Sequence, residues 1–390
     1  MTGSIIAETG ITASMAGFLA SAYFLTYGIM QLVSGMLIDY FGPRKMLVSF
    51  VLVAGLGTIL FARAESFTGL VGGRALVGFG TSAIFLGGVK LFSLWFAPPI
   101  FARLNGVLIA MGGLGMILGS GLMGYLCASL GWRDTNFNLG IMTLAFTVPI
   151  FFIVKDRLPA KNAPGVSSEK GVEEIINPFR AVLIIAKSRH FWLIAGWFCL
   201  QFGLCNAAGG LWGGQYLRDV HQLDIISVGN VLNMLGVGTF VGSLANAWCI
   251  STFSKSSAKP VMPIAALSYI GLFGSLILWG ELFSVPMLCA WFFLLAAFGI
   301  GPLFAGFACM AQIFGQKLVG TASGLLNTLP SIVVLLLQTL TGTVLEKIGG
   351  IKLQYIAQEY STAFSMYLIA AALSLLFSIA ALRFKEKNRG

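Results

Sequence analysis

An all-α protein that crosses a membrane many times is the fold class this sequence predicts, on three observations. Charged residues make up 10% of the 390 and hydrophobic ones 57%, whereas soluble chains are about 25% charged. So few charges cannot surface a body in water, so the solvent is largely lipid. The apolar residues also come in continuous runs, without the polar–apolar alternation of a membrane barrel. Glycine is abundant at 49 residues, as expected where helices cross closely in lipid.

Apolar runs long enough for a span of about 20 residues occupy 13–36, 46–63, 67–95, 104–127, 136–154, 191–216, 226–250, 260–280, 284–312, 320–344 and 361–383. The longest polar interval, 156–190, holds prolines, serines and mixed charges and separates five runs from six. Its "EEIINPFRAVLIIAK" portion is expected to form a helix lying on the membrane surface. The predicted organisation is an N-terminal bundle over 1–157, a cytoplasmic linker over 158–188 and a C-terminal six-helix bundle over 189–390. If the 34–46 loop lies in the cytoplasm and the chain alternates, most of the 24 Lys and Arg fall inside. Arg63, Arg133, Arg218, Lys347 and Lys352 fall outside. That asymmetry orients the chain with its C-terminus in the cytoplasm, and it accounts for the net charge of +10 without nucleic acid.

The halves repeat one another. Gly106, Gly124 and Gly131 recur as Gly324, Gly342 and Gly349, Gly78 and Gly80 as Gly299 and Gly301, and "GMLID" (35–39) as "GSLAN" (242–246). Matches in the same order on both sides of the linker imply two pseudo-symmetric bundles related by an axis along the membrane normal. Six cysteines (127, 199, 205, 249, 289, 309) lie in apolar runs without a CxxC pair, and His190 and His221 are isolated. No metal site, catalytic constellation or cofactor is implied, and no phosphate-binding GxxxxGK[ST] occurs. An enzyme and an ATP-driven pump are therefore disfavoured.

The loop "SGMLIDYFGPRKM" (34–46) sets an acid and two bases between nearly uncharged runs. Gly35, Asp39, Gly42, Arg44 and Lys45 match a glycine, three residues, an aspartate, then glycine and basic residues. On these positions the chain resembles the major facilitator superfamily of secondary transporters, whose cytoplasmic signature this is; Tyr40 and Pro43 replace residues that are often basic there. The resemblance implies alternating access, with Asp39 accepting hydrogen bonds from Arg44 and from a helix terminus of the other half. It also implies a gate at this loop, whereas a plain solvated turn would explain the bases but not the acid. In the family the motif follows the second of six helices in its half. Here it follows the first run, and residues 1–12 resemble the end of helix one. The expectation is that the family's first helix is missing, leaving eleven spans of twelve.

Only Arg74 and Lys90 are charged within a span, and such residues are functional candidates by default. Arg74, with Leu70, Gly78 and Gly80, also fits the family's helix-four motif, which is associated with proton-linked transport. A structural role, bonding a neighbouring helix's carbonyls, is the alternative. Lys90 reaches the inner interface and is expected to snorkel. No Asp or Glu lies mid-span. The family's helix-five antiporter signature is incomplete, since Ser120 follows Gly115 and Gly119 where proline is required. The sixth run carries Gln201, Asn206, Trp212, Gln215 and Tyr216, with Gly209 to Gly214 able to bend around Trp212. Tyr23, Tyr27 and Gln31 recur at i, i+4 and i+8 on one helix face, and Asn230, Asn233 and Asn327 are further polar candidates. Each of these can equally be a helix–helix hydrogen bond.

The expected function is secondary transport of a small polar metabolite, an organic anion or amino-acid-like solute, with a coupling proton or an exchanged anion. The alternative is proton-coupled drug efflux. Its other expected settings are the lipid bilayer, a bacterial inner membrane and a monomer.

Overall fold

The computed structural model describes residues 13–156, 177–253, 259–350 and 354–383. Residues 1–12, expected to correspond to the end of a first helix, and most of the expected linker lie outside them. Among the described residues the chain is helical throughout, without a strand. The helices are α1 (Ala13–Phe41), α2 (Pro43–Arg63), α3 (Phe67–Trp95), α4 (Pro98–Leu130), α5 (Trp132–Ile153), α6 (Pro178–Ala186), α7 (Arg189–Asn206) and α8 (Trp212–Asp219). They continue as α9 (Ile225–Phe253), α10 (Val261–Trp279), α11 (Val285–Gly299), α12 (Phe304–Thr328), α13 (Pro330–Gly349) and α14 (Ala357–Arg383).

Among the described residues ten segments are long and apolar enough to span a membrane, and one of these, Val285–Gly349, is 65 residues long. At 1.5 Å per residue it would measure about 98 Å if straight, three times the apolar thickness of a bilayer. It breaks at Gly315 (φ 67, ψ −178), a conformation that glycine tolerates, and so supplies two spans. The described spans therefore number eleven, matching the eleven apolar runs.

Local chemistry places the boundaries. Gly42 (φ 88) turns the chain between α1 and α2, and Pro43 opens α2 at the one helical position where its missing N–H costs nothing. The Ser66 hydroxyl accepts from Gly69 N–H at 3.2 Å and caps α3. Gly131 (φ 79) joins α4 to α5, and Gly350 (φ 73) ends α13. The structural counterpart of Gly131 is thus Gly350, one residue beyond the Gly349 expected from the repeat. α6 falls in the interval expected to hold a surface helix; it buries Ala181 and Ile185 and exposes Phe179 and Leu183.

Two compact units emerge. One contains residues 1–97, 118–185 and 314–328, and the other 98–117, 186–313 and 329–390. In the first, α3 packs on α1 and α2, and α2 on α5. Its cores gather Phe61, Leu70 and Trp132, and Ile38, Phe50, Ala83 and Leu86. In the second, α9 packs on α11 and α14 on α7 and α10. Its core is strongly aromatic, joining Tyr269, Phe273, Trp291, Tyr360, Phe364 and Tyr367.

Candidate functional site

In the first unit, α1 lies against the 316–327 stretch of α12, and glycines let the backbones meet. A Cβ on Gly35 would fall 3.0 Å from the Gly320 carbonyl carbon and 3.2 Å from Gly324 Cα, and nearer still to the Gly320 oxygen. At the end of this seam the Asp39 carboxylate is surrounded by donors. Lys90 Nζ approaches Oδ1 at 2.6 Å, with both side chains under 10% exposed. Gly320 N–H donates to Oδ1 at 3.0 Å, and Thr321 donates to Oδ2 through its N–H at 2.6 Å and its hydroxyl at 2.8 Å. Lys90 also donates to the Gln316 carbonyl, and Gln316 Nε2 returns a bond to Ser93 O at 2.8 Å. Gln316 O and Gly320 N are the i, i+4 acceptor and donor of a helical turn, so the ion pair engages both ends of that turn.

Two expectations are corrected here. Lys90 does not snorkel, because an acid from α1 and a carbonyl from α12 meet its ammonium inside the protein. Arg44 does not bond Asp39. It lies beyond the Gly42 turn, where its guanidinium donates to Phe151 O at 3.0 and 2.6 Å and rests 4.7 Å from the Phe151 ring centroid. Phe151 O is among the last carbonyls of α5, which have no intrahelical donor and favour a cation. Asp156, which the sequence presents as part of the polar linker, accepts from Arg44 N–H at 2.7 Å and so caps α2 from 112 residues away. Asp156→Ala is expected to cost about 1 kcal/mol and to lower the thermal midpoint in detergent; an unchanged midpoint would refute the capping role. Lys45 is exposed.

A second group in the same unit rises along α1. The Arg74 guanidinium sits 5.4 Å from the Tyr23 ring centroid and 5.7 Å from that of Phe61. Tyr23 stacks on Tyr27 at 5.7 Å and receives a hydrogen bond from the Thr81 hydroxyl at 3.3 Å. Tyr27 lies beside the amides of Gln31 and Asn327, which are bonded to each other at 3.0 Å. The structure thus brings Arg74, Tyr23, Tyr27, Gln31 and Asn327 into one ladder. Arg74 makes no ion pair among the described residues.

The candidates on α7–α9 separate into several places. Ala207–Leu211 forms a π turn between α7 and α8, at the glycines expected to bend. Trp212 Nε1 donates to Gln338 O at 3.0 Å, and Gln338 Nε2 to Asn206 O at 3.4 Å. Gln201 is fully buried and donates to the Ser374 hydroxyl at 3.2 Å. Tyr216 packs into an aromatic group with Tyr360 and Phe364, and its hydroxyl lies 3.4 Å from His221 Nε2. Burial holds the His221 imidazole below its ordinary pKa, opposed by a hydrogen bond to the Gly280 backbone. Gln215 is half-buried, and Asn230 and Asn233 are exposed. Asn246, at Asp39's place in the repeat, donates to Gly242 O at 2.7 Å and Ala297 O at 3.2 Å.

The family model described as Major Facilitator Superfamily matches residues 1–337. The chain belongs to the major facilitator superfamily. It is therefore a transporter rather than an enzyme, and an integral, multi-pass membrane protein. A relative, the probable sulfoacetate transporter SauU of Cupriavidus necator, is 24% identical over 361 residues, covering 89% of this chain and 82% of that one. A probable hexose phosphate transport protein of Chlamydia muridarum is 22% identical over 357 residues, covering 82% of this chain and 74% of that protein. Among solved structures, the FucP transporter in its outward conformation superposes with a TM-score of 0.72 at 16% identity, covering 95% of this chain and 91% of that one. That likeness supports the superfamily fold.

Sequence reasoning found the superfamily's loop motif but missed Lys90, Gln316, Thr321 and Asp156 as its partners. Asp39 and Lys90 are 51 residues apart, and Asp39 and Thr321 are 282 apart. No local periodicity connects them. The one available signal was a lysine inside a long apolar run with no acid of its own.

Proposed function

We propose that this superfamily member is a secondary transporter of a small oxygen-rich organic anion, working by alternating access in a bacterial inner membrane with its C-terminus in the cytoplasm. The observation that carries the reading is Arg74, a cation within a span, flanked by two aromatic faces and unpaired with any acid among the described residues. A cation at such a place is expensive unless something compensates it, and an anionic substrate would do so at each cycle. The names of the relatives, a sulfonated acid and a hexose phosphate, point to the same chemical class. Proton-coupled drug efflux has less support, because among the described residues no carboxylate lies mid-span to relay a proton.

In this reading the seam at Gly35, Asp39, Lys90 and Thr321 is the cytoplasmic gate. Its bonds join Asp39 and Lys90 to residues 316–321 of α12, so the expected halves 1–157 and 189–390 would have to break them in order to part there. Gly42 turns the loop, Arg44 ties it to α5, and Lys45 orients it at the membrane surface. The test is binding and counterflow with purified protein in liposomes, using sulfoacetate and glucose 6-phosphate as probes. Arg74→Gln should weaken anion binding by tenfold or more, the scale of losing one charge partner, about 2–5 kcal/mol. Normal anion binding in a well-folded Arg74→Gln protein would leave Arg74 a structural residue and refute the reading.

A further inference from the structure

The α1–α12 seam carries a second polar fastening, one turn or more from the ion pair. Asn327 Nδ2 donates to Gln31 Oε1 at 3.0 Å and so holds the Gln31 amide in place. Yet Gln31 Nε2, on a side chain only 1% exposed, meets no acceptor in good hydrogen-bond geometry, and only the Tyr27 hydroxyl beside it offers a weaker interaction. A buried donor so poorly satisfied is a standing cost. Gln31 also joins two structures. Its side chain lies beside Tyr27, at the end of the ladder that starts from Arg74. Its backbone lies in the seam, where a Cβ on Gly324 would come within 2.7 Å of Gln31 O.

We propose that the Gln31–Asn327 bond is a neutral lock in series with the Asp39–Lys90 pair, and that the substrate releases it. The inference rests on the anion reading of Arg74. An oxygen of the substrate accepts from Gln31 Nε2, the amide turns toward it, and Asn327 loses its partner. A ligand that offers only donors or apolar surface cannot do this, so the lock answers to an oxyanion or a hydroxylated acid. Because turning Nε2 to the substrate carries Oε1 away from Asn327, substrate and Asn327 hold the amide in different orientations and each weakens the other's hold, as linkage requires. Gln31 is then the residue through which occupancy reaches the gate.

The test uses the full chain with Cys127 and Cys289 replaced by serine, and Ser93→Cys as a reporter. Ser93 is 7% exposed, sits behind the seam, and engages Gln316 through its backbone oxygen, which a cysteine keeps. Without any ligand, labelling of the reporter by a membrane-impermeant thiosulfonate should rise at least threefold in both Gln31→Leu and Asn327→Leu. Binding of sulfoacetate or glucose 6-phosphate should weaken at least threefold in Gln31→Leu and tighten in Asn327→Leu. Those opposite signs distinguish a competing lock from a packing contact, which would shift both variants the same way. Should the leucine variants aggregate, Gln31→Met and Asn327→Ala replace them. Labelling at the wild-type level, or binding changes of the same sign, overturns the proposal. If Arg74→Gln leaves binding intact, or neither probe binds the wild type, the anion reading fails, and the lock is then judged on ligand-free labelling.

Discussion

Lys90→Met is expected to lower the thermal midpoint more than any other single charge removal in the chain, and to abolish counterflow. The ammonium is bonded to Asp39 and to the Gln316 carbonyl in a site under 10% exposed. Removing it leaves Asp39 as a buried anion facing only the dipoles of Gly320 and Thr321. Breaking one side of a buried pair costs about 3–5 kcal/mol, chiefly because the remaining charge stays desolvated. The diagnostic result is therefore the double variant. Asp39→Asn with Lys90→Met removes both charges while an amide oxygen still accepts from Thr321, so part of the lost stability should return. A double variant no more stable than Lys90→Met alone would mean that the pair is not the origin of the loss. Recovery of stability without recovery of transport would assign the charges to the gate.

Gly35→Val should be nearly as damaging, for a steric reason. On the far side of Gly35 stand the carbonyl of Gly320 and Cα of Gly324. Backbone on both sides cannot rotate out of the way, so helix separation is the only relief. Overpacking of this kind costs about 1–3 kcal/mol even for one methyl, and valine adds two more carbons. Gly28 on the same helix has nothing within 4 Å of its would-be Cβ. Gly28→Ala should be neutral or gain up to about 1 kcal/mol from helix propensity. Thermal melting of the two variants side by side reads this out. Equal effects would show that the seam tolerates separation and that close approach is not what Gly35 provides.

Much of the fold was legible because lipid imposes a simple rule: a span must be long, continuous and apolar. The eleven runs therefore match the helices, and even the break near residue 315 fell in the gap between two runs. The loop motif was legible because its glycine and acid stand four residues apart on one helix. Tyr23, Tyr27 and Gln31 were legible for the same reason, since helical periodicity places them on one face. What lay beyond reading was partnership. Asp39 finds its cation 51 residues on and its hydroxyl 282 residues on, and Arg44 was assigned to the wrong acceptor because proximity in sequence was the only guide. Gln201 shows the converse. A lone amide deep in a helix looks like a ligand site, and packing gives it to Ser374.

The π turn at Ala207–Leu211 makes one helix out of phase with itself. A π turn is an α-helix carrying a single surplus residue, and each residue advances the helix by about 100°. Everything beyond it, from Trp212 through Asp219, faces a direction it would not face in an uninterrupted helix. Trp212 meets Gln338, and Tyr216 meets Tyr360, only because of that offset. Moving such a bulge would require only that one carbonyl partner be exchanged for the next. A shift of one position re-aims a single side chain by about a quarter turn and leaves the helix ends where they were. Gly209 and Gly210 lie within the turn and offer no side-chain obstacle to that movement. The π turn thus sets which way the aromatic side chains of this span point, by register and without a change in its length.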